Sequence, residues 1–126
     1  MLQALVVDAA NVVGSVPNGW WRDRAGAARR LVDDLSRDPG PGGRWDLIVV
    51  VLESAARAGV PASGPGTGIQ VVHAPGCGDD ELVARCRELV AAGYAVTLGT
   101  ADRGLRARVR PLGVAVIGPR SLRPGQ

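Results

Sequence analysis

Lysine is absent from this chain of 126 residues, and all 15 of its basic side chains are arginine. That absence excludes several chemistries. A phosphate-binding P-loop needs a lysine on the phosphates, receiver-type phosphorylation domains rely on one, and Schiff-base catalysis has no amine to use. Phenylalanine is also missing and aromatics make up only 3%, so a core has to be built from Val, Leu, Ile and Ala. There is a single histidine, and Cys77 and Cys86 stand apart without CxxC spacing. These residues give neither a zinc pattern nor a disulfide framework, and free thiols in a reducing compartment are expected. No apolar run approaches membrane-spanning length, and no basic segment precedes the first one. Neither a signal peptide nor a membrane partner is expected, and the expected location is the cytoplasm.

What is present suits one α/β domain. Hydrophobic residues make up 46% of the chain, and the formal net charge is +3 with a pI near 9.6. A mild basic excess favours polyanionic partners, although it also serves solubility. Leu2–Val7, Asp46–Leu52, Ile69–His73, Tyr94–Leu98 and Val114–Ile117 are short apolar runs rich in β-branched residues and read as buried strands. Between them, Ala25, Ala28, Leu31, Val32 and Leu35 recur at helical spacing, as do Leu82, Val83, Cys86, Leu89 and Val90, with Gly93 as the cap of the second helix. Leu105–Val109 predicts a shorter helix. Gly14–Gly19, Pro39–Gly43 and Gly59–Gly68 carry the turn residues of loops. Continuous apolar strands separated by helices imply a mostly parallel sheet of about five strands, covered on both faces. The domain is expected to span 1–118, with 119–126 as a fraying C-terminal tail.

On that scheme the carboxylates fall into two groups. Asp8 follows the first strand, Glu53 the second, Asp79 and Asp80 the third, and Asp102 the fourth. All five belong to the carboxyl edge, where open α/β sheets bind ligands. Asp33, Asp34 and Glu88 lie mid-helix and read as solvated. Asp79, Asp80 and Asp102 also read as helix caps, and Glu53 as a strand end. A carboxylate directly after a buried strand, as Asp8 is, needs a partner or a cation. Acids converging on one edge raise one another's pKa unless a cation neutralises them, and oxygen-only donors suit Mg²⁺ or Mn²⁺ rather than zinc. Asn11 reads either as an amide reaching back to this edge or as an Asx turn. Arg22 and Arg24 flank the first helix, while Arg103, Arg106, Arg108 and Arg110 recur with no acid among them. The run fits a phosphate-backbone contact and equally a solvated face. Trp20 and Trp21 could stack bases or staple the helix, and His73 reads as structural.

The stretch Val6-Val7-Asp8-Ala9-Ala10-Asn11-Val12-Val13-Gly14 resembles the opening motif of NYN domains of the PIN-like nuclease superfamily, particularly the YacP-like branch. Gly78-Asp79-Asp80-Glu81-Leu82-Val83 resembles the central acidic motif, and Thr100-Ala101-Asp102-Arg103-Gly104-Leu105 the final one. Gly19-Trp20-Trp21-Arg22-Asp23-Arg24 resembles a feature of bacterial members. The resemblance implies a PIN-like three-layer α/β/α sandwich and a metal-dependent endoribonuclease. It implies Asp8, Asp79, Asp80 and Asp102 as Mg²⁺ or Mn²⁺ ligands and catalytic residues, with Asn11 assisting. Glu53 is the best counterpart of the extra acid that many PIN-like nucleases carry on a helix. The partner implied is RNA, contacted by Arg22, Arg24, Arg103 and Arg106. A non-catalytic RNA- or ribosome-binding module with the same fold is the alternative. A dinucleotide-binding fold is disfavoured, because Asp8–Gly14 lacks GxGxxG.

Overall fold

The computed structural model describes residues 1–15, 19–37, 45–63 and 68–122. Five strands, β1 (Gln3–Asp8), β2 (Leu47–Leu52), β3 (Gly68–His73), β4 (Ala95–Gly99) and β5 (Ala115–Ile117), form one sheet in the order β3-β2-β1-β4-β5. Every pairing is parallel, so the sheet is wholly rather than mostly parallel. Among the described residues, four α-helices accompany it: α1 (Ala9–Gly14), α2 (Arg24–Arg37), α3 (Gly78–Ala91) and α4 (Arg103–Val109).

Strand side chains alternate between the two faces, and each face has its own core. Leu5 and Val7 of β1, with Ile48, Val50 and Leu52 of β2, pack beneath α1 and α2. Ala4 and Val6, with Val49, Val51, Val96 and Leu98, pack beneath α3 and α4. Burial on both faces explains why these strands are unbroken apolar runs. The result is the three-layer α/β/α arrangement that the sequence pattern implied. Among the described residues, no helix is long and apolar enough to cross a membrane.

The pairing register brings the carboxyl ends of the strands to one edge, with Asp8 opposite Val51, Leu52 opposite His73, and Val7 opposite Gly99. The chain runs from β1 outward to β2 and β3, then returns to β1's other side with β4. The crevice between β1 and β4 is therefore the topological switch point, where such sheets bind ligands.

Several local features differ from the sequence expectation. Helix α1 follows β1 without a loop, because Asp8 caps it by accepting a hydrogen bond from the Asn11 amide and Ala9-Ala10 favours helix. Ser54–Gly59 winds into a 3-10 helix where only a strand end was foreseen. On α2 the buried positions include Gly26 and Ala27, while Ala25 is only half-buried. Helix α3 ends as expected, with Gly93 at φ +95° just past its last turn. Pro119–Leu122, expected to begin a fraying tail, forms a 3-10 turn that buries Leu122 in the α1–α2 core. The turn signals Pro17-Asn18 and Pro39–Gly43, and residues 123–126, lie outside the described residues.

The 3-10 helix is held tightly against α2. The Arg29 Nε donates to the Gly59 carbonyl at 3.3 Å, and a Cβ at Gly59 would overlap the Ala25 carbonyl oxygen. Two backbones approach there with no flexible side chain to yield. Gly59→Ala is expected to cost about 1–3 kcal/mol through overpacking, read by urea denaturation. An unchanged midpoint would contradict this close approach.

Candidate functional site

The carboxyl end of β1 places Asp8 at the switch point, where it is buried. Its Oδ2 accepts a hydrogen bond from the Thr100 hydroxyl at 2.9 Å, and its Oδ1 accepts the Asn11 amide at 3.3 Å. Thr100 follows β4, is fully buried, and also accepts the Asp102 amide at 3.1 Å. Asn11, on the first turn of α1, accepts the Ala101 amide through its side-chain oxygen at 2.8 Å. Two bridges thus tie the start of α1 to the loop leading into α4, and both pass through side chains around Asp8. Asn11 therefore reaches back to the edge rather than closing an Asx turn: its backbone amide donates to Asp8, and its side-chain oxygen holds the β4–α4 loop.

The other acids approach from neighbouring elements. Asp102 is exposed and caps α4 by accepting the Leu105 amide at 2.9 Å. Glu53 accepts the Gly78 amide through Oε2 at 2.8 Å, joining the end of β2 to the first turn of α3, which carries Asp79, Asp80 and Glu81. A side chain at Gly78 would overlap that carboxylate, so glycine is required for the bridge. Asp79 is half-buried. Asp80 is exposed and paired with Arg108 at 3.0 Å. The two adjacent acids of α3 therefore divide, Asp80 joining a surface ion pair and Asp79 sharing the field of the edge.

That field is unsaturated. Burial raises the Asp8 carboxyl above its ordinary 3.8; the bonds from Thr100 and Asn11 oppose the rise, and the charges of Asp79 and Glu53 add to it. Asp79 is raised by burial first, then by Asp102 and Glu53, against a lowering from Arg108. Asp8, Glu53, Asp79 and Asp102 are thus electrostatic neighbours, as their positions after successive strands implied. Among the described residues, however, no three His, Cys, Asp or Glu side chains stand close enough together to hold a metal ion as they are. The acids share a field and not a finished cage.

The arginines sort by face. Arg108 is taken by Asp80, whereas Arg103, Arg106 and Arg110 line one recess with Ala107. The Arg106 Nε there is buried without a hydrogen-bond partner. Arg22 places its guanidinium 5.8 Å from the ring of Trp21, which is exposed. Arg24 lines a separate cavity beside Ala9 and Ala10. The Trp20 side chain lies outside the described residues. His73 is structural, its Nε2 lying 2.7 Å from the Val60 carbonyl oxygen. Cys86 is buried with its thiol pushed up to about 12, so it is not a nucleophile.

Reading the sequence overlooked Thr100 as a site residue, although it opens the Thr100-Ala101-Asp102 motif. Its signal was a polar residue ending an apolar strand. Gly78 was likewise visible only as part of a motif.

An α/β/α sandwich with acids at the switch point is the architecture that the resemblance to YacP-like NYN domains implied. Two solved structures share the fold. The crystal structure of the W164L mutant of Rae1 (YacP) from Bacillus subtilis matches with a TM-score of 0.69 at 16% identity, covering 96% of this chain and 72% of that one. A second crystal structure of Rae1 (YacP) from the same organism matches with a TM-score of 0.62 at 16% identity, covering 96% and 71%. No protein-family model matches the chain, and no curated protein matches it in sequence. The YacP-like resemblance read from the motifs is thus met in the fold.

The sign of the Asp8 shift yields a test. A carboxyl raised in the folded state binds its proton more readily there than in the unfolded chain, so its effect destabilises as pH rises from 3.8 through the raised value. In buffer freed of divalent metal, Asp8→Asn is expected to raise the melting temperature at neutral pH, with the gain shrinking as pH falls through the raised value towards 3.8 and gone below it. Thr100→Val, which removes the bridging hydroxyl, is expected to cost about 1–3 kcal/mol. Thermal melts across pH check both; Asp8→Asn melting below wild type at neutral pH would contradict the assigned sign.

Proposed function

We propose that this chain is a metal-dependent endoribonuclease that hydrolyses RNA phosphodiester bonds at the carboxyl edge of β1 and β4. The observation that carries the reading is Asp8. A carboxylate buried at the switch point is held by two hydrogen bonds and faces two further negative charges. Leaving such a charge without a cation is costly, and neither of the bonds it accepts comes from a charged donor. The fold shared with Rae1 agrees with this reading.

The donor set fits a hard divalent cation, since it offers carboxylate oxygens and no thiolate or imidazole. Asp8, Asp79 and Asp102 would hold Mg²⁺ or Mn²⁺, with Asp80 at the margin because of its pairing with Arg108. The acids are not assembled as a cage, so binding requires the half-buried Asp79 and exposed Asp102 to close on Asp8. Such an ion supplies a lowered pKa for bound water and neutralises charge on the phosphate. The remaining work belongs to the chain's own residues. Thr100 and Asn11 fix the Asp8 carboxylate and the β4–α4 loop. Glu53 fixes the turn that delivers Asp79. Arg103 and Arg106, with Arg22 and Arg24 across the edge, hold the RNA backbone without reading its sequence.

The absence of a ready cage favours a second reading, a non-catalytic RNA-binding module. The two separate cleanly. In the nuclease, Mn²⁺ binds calorimetrically to wild type and fails to bind Asp8→Asn, and RNA cleavage falls about a hundredfold or more in Asp8→Asn and in Asp102→Asn. The binding module shows no Mn²⁺ binding linked to Asp8. Undiminished cleavage by both variants sinks the assignment.

A further inference from the structure

A cavity of about 250 Å³ opens between α1, α2 and the Ser54–Gly59 helix, lined by Ala9, Ala10, Val13, Ala28 and Ala56 together with Arg24, Glu53 and Ser54. It begins directly after Asp8 and shares Glu53 with the acidic edge. The hydrolytic scheme calls on its Arg24 and Glu53 but leaves the apolar space between them unused. We propose that this cavity is a nucleobase subsite, which takes the base beside the cleaved phosphate and favours bases that carry an exocyclic amine. The inference deepens the nuclease reading by naming what that site selects.

Three features make the cavity a built one. First, its walls suit a largely apolar ring, because five of its eight lining residues are alanine or valine and its volume of about 250 Å³ admits one. Second, its one carboxylate is already oriented. Glu53 Oε2 is occupied by the Gly78 amide, and Oε1 accepts no hydrogen bond among the described residues. A fixed acceptor at a base edge selects an amino group, as carboxylates do toward cytosine, and repels the carbonyl edges of uracil. Third, the wall behind Glu53 is rigid and strained. Ser54 sits at φ +52°, a conformation that residues other than glycine rarely adopt. It is kept there by Arg57, whose Nε donates to the Ser54 carbonyl at 3.2 Å and whose guanidinium also donates to the Ala74 carbonyl at 3.2 Å. Backbone strain held by such bracing collects at ligand sites. Arg24 is the one basic residue among those lining the cavity.

Mononucleotides test the subsite without requiring chemistry. Adenosine, cytidine and uridine 5′-monophosphates are titrated separately into the full chain, and backbone amide shifts are followed by NMR. The expected result is movement of the Ala9, Ala10, Ser54 and Ala56 amides, with adenosine and cytidine monophosphates binding about tenfold tighter than the uridine nucleotide. Ala10→Leu, a change at an exposed helical position, is expected to abolish those shifts while melting like wild type. In Glu53→Gln the amide oxygen can still accept from Gly78, leaving an NH₂ donor at the pocket, so preference should turn toward uridine monophosphate. Shifts confined to the Arg103–Arg110 face, equal affinity for all three nucleotides, or binding untouched by Ala10→Leu would overturn the proposal. Base-selective binding in a chain that cleaves no RNA with Mn²⁺ would uphold the subsite while removing the nuclease.

Discussion

The hydrogen bond from Thr100 to Asp8 is the constraint on which the edge depends. It crosses the switch point from the end of β4 to the end of β1, and it is buried, so neither partner can exchange it for water at low cost. The same hydroxyl receives the Asp102 amide, which sets the start of α4. One threonine therefore fixes a carboxylate, a loop and a helix entry together. Remove its oxygen and three groups lose their reference at once.

Around that fixed point the chain arranges charge in a graded way. Asp8 is locked, Asp79 is half-buried, and Asp102 is exposed, each borne by a different element. Repulsion among them persists in the folded molecule, because Arg108 pairs with Asp80 and only partly offsets the charges that Asp102 and Glu53 impose on Asp79. Arg103, Arg106 and Arg110 gather on one face of the α4 region, and none of them forms an ion pair among the described residues. On the function proposed above, a polyanion's phosphate would meet a cation at the crevice while its flanks meet these arginines.

Most of this architecture was legible because it follows from periodicity. Continuous β-branched runs such as Leu47–Leu52 announced strands buried on both faces, and the helical spacing of Leu82, Val83 and Cys86 announced α3. The positions of Asp8, Glu53, Asp79 and Asp102 after successive strands followed from the same pattern. What could not be read were features set by tertiary contact. The Ser54–Gly59 helix exists because Gly59 fits against Ala25 and because Arg57 holds its first turn, and neither is a local preference. Helix α1 is too short to show a period. The division of labour between Asp79 and Asp80 depends on where Arg108 lands from another helix, which neighbouring letters cannot reveal. Leu122, in a segment poor in apolar residues, enters the core only because Gly99 leaves space for it.

The Asp8–Thr100 bond also spans 92 positions of the chain, and the strand that begins the sequence ends up at the middle of the sheet. β1 can pair with β2 early, but the crevice has only one wall until β4 docks on its other side. Contacts of such long range are won late in folding, after the entropy of closing the intervening chain has been met. Until β4 docks, Asp8 lacks the Thr100 hydroxyl and the crevice lacks its second wall.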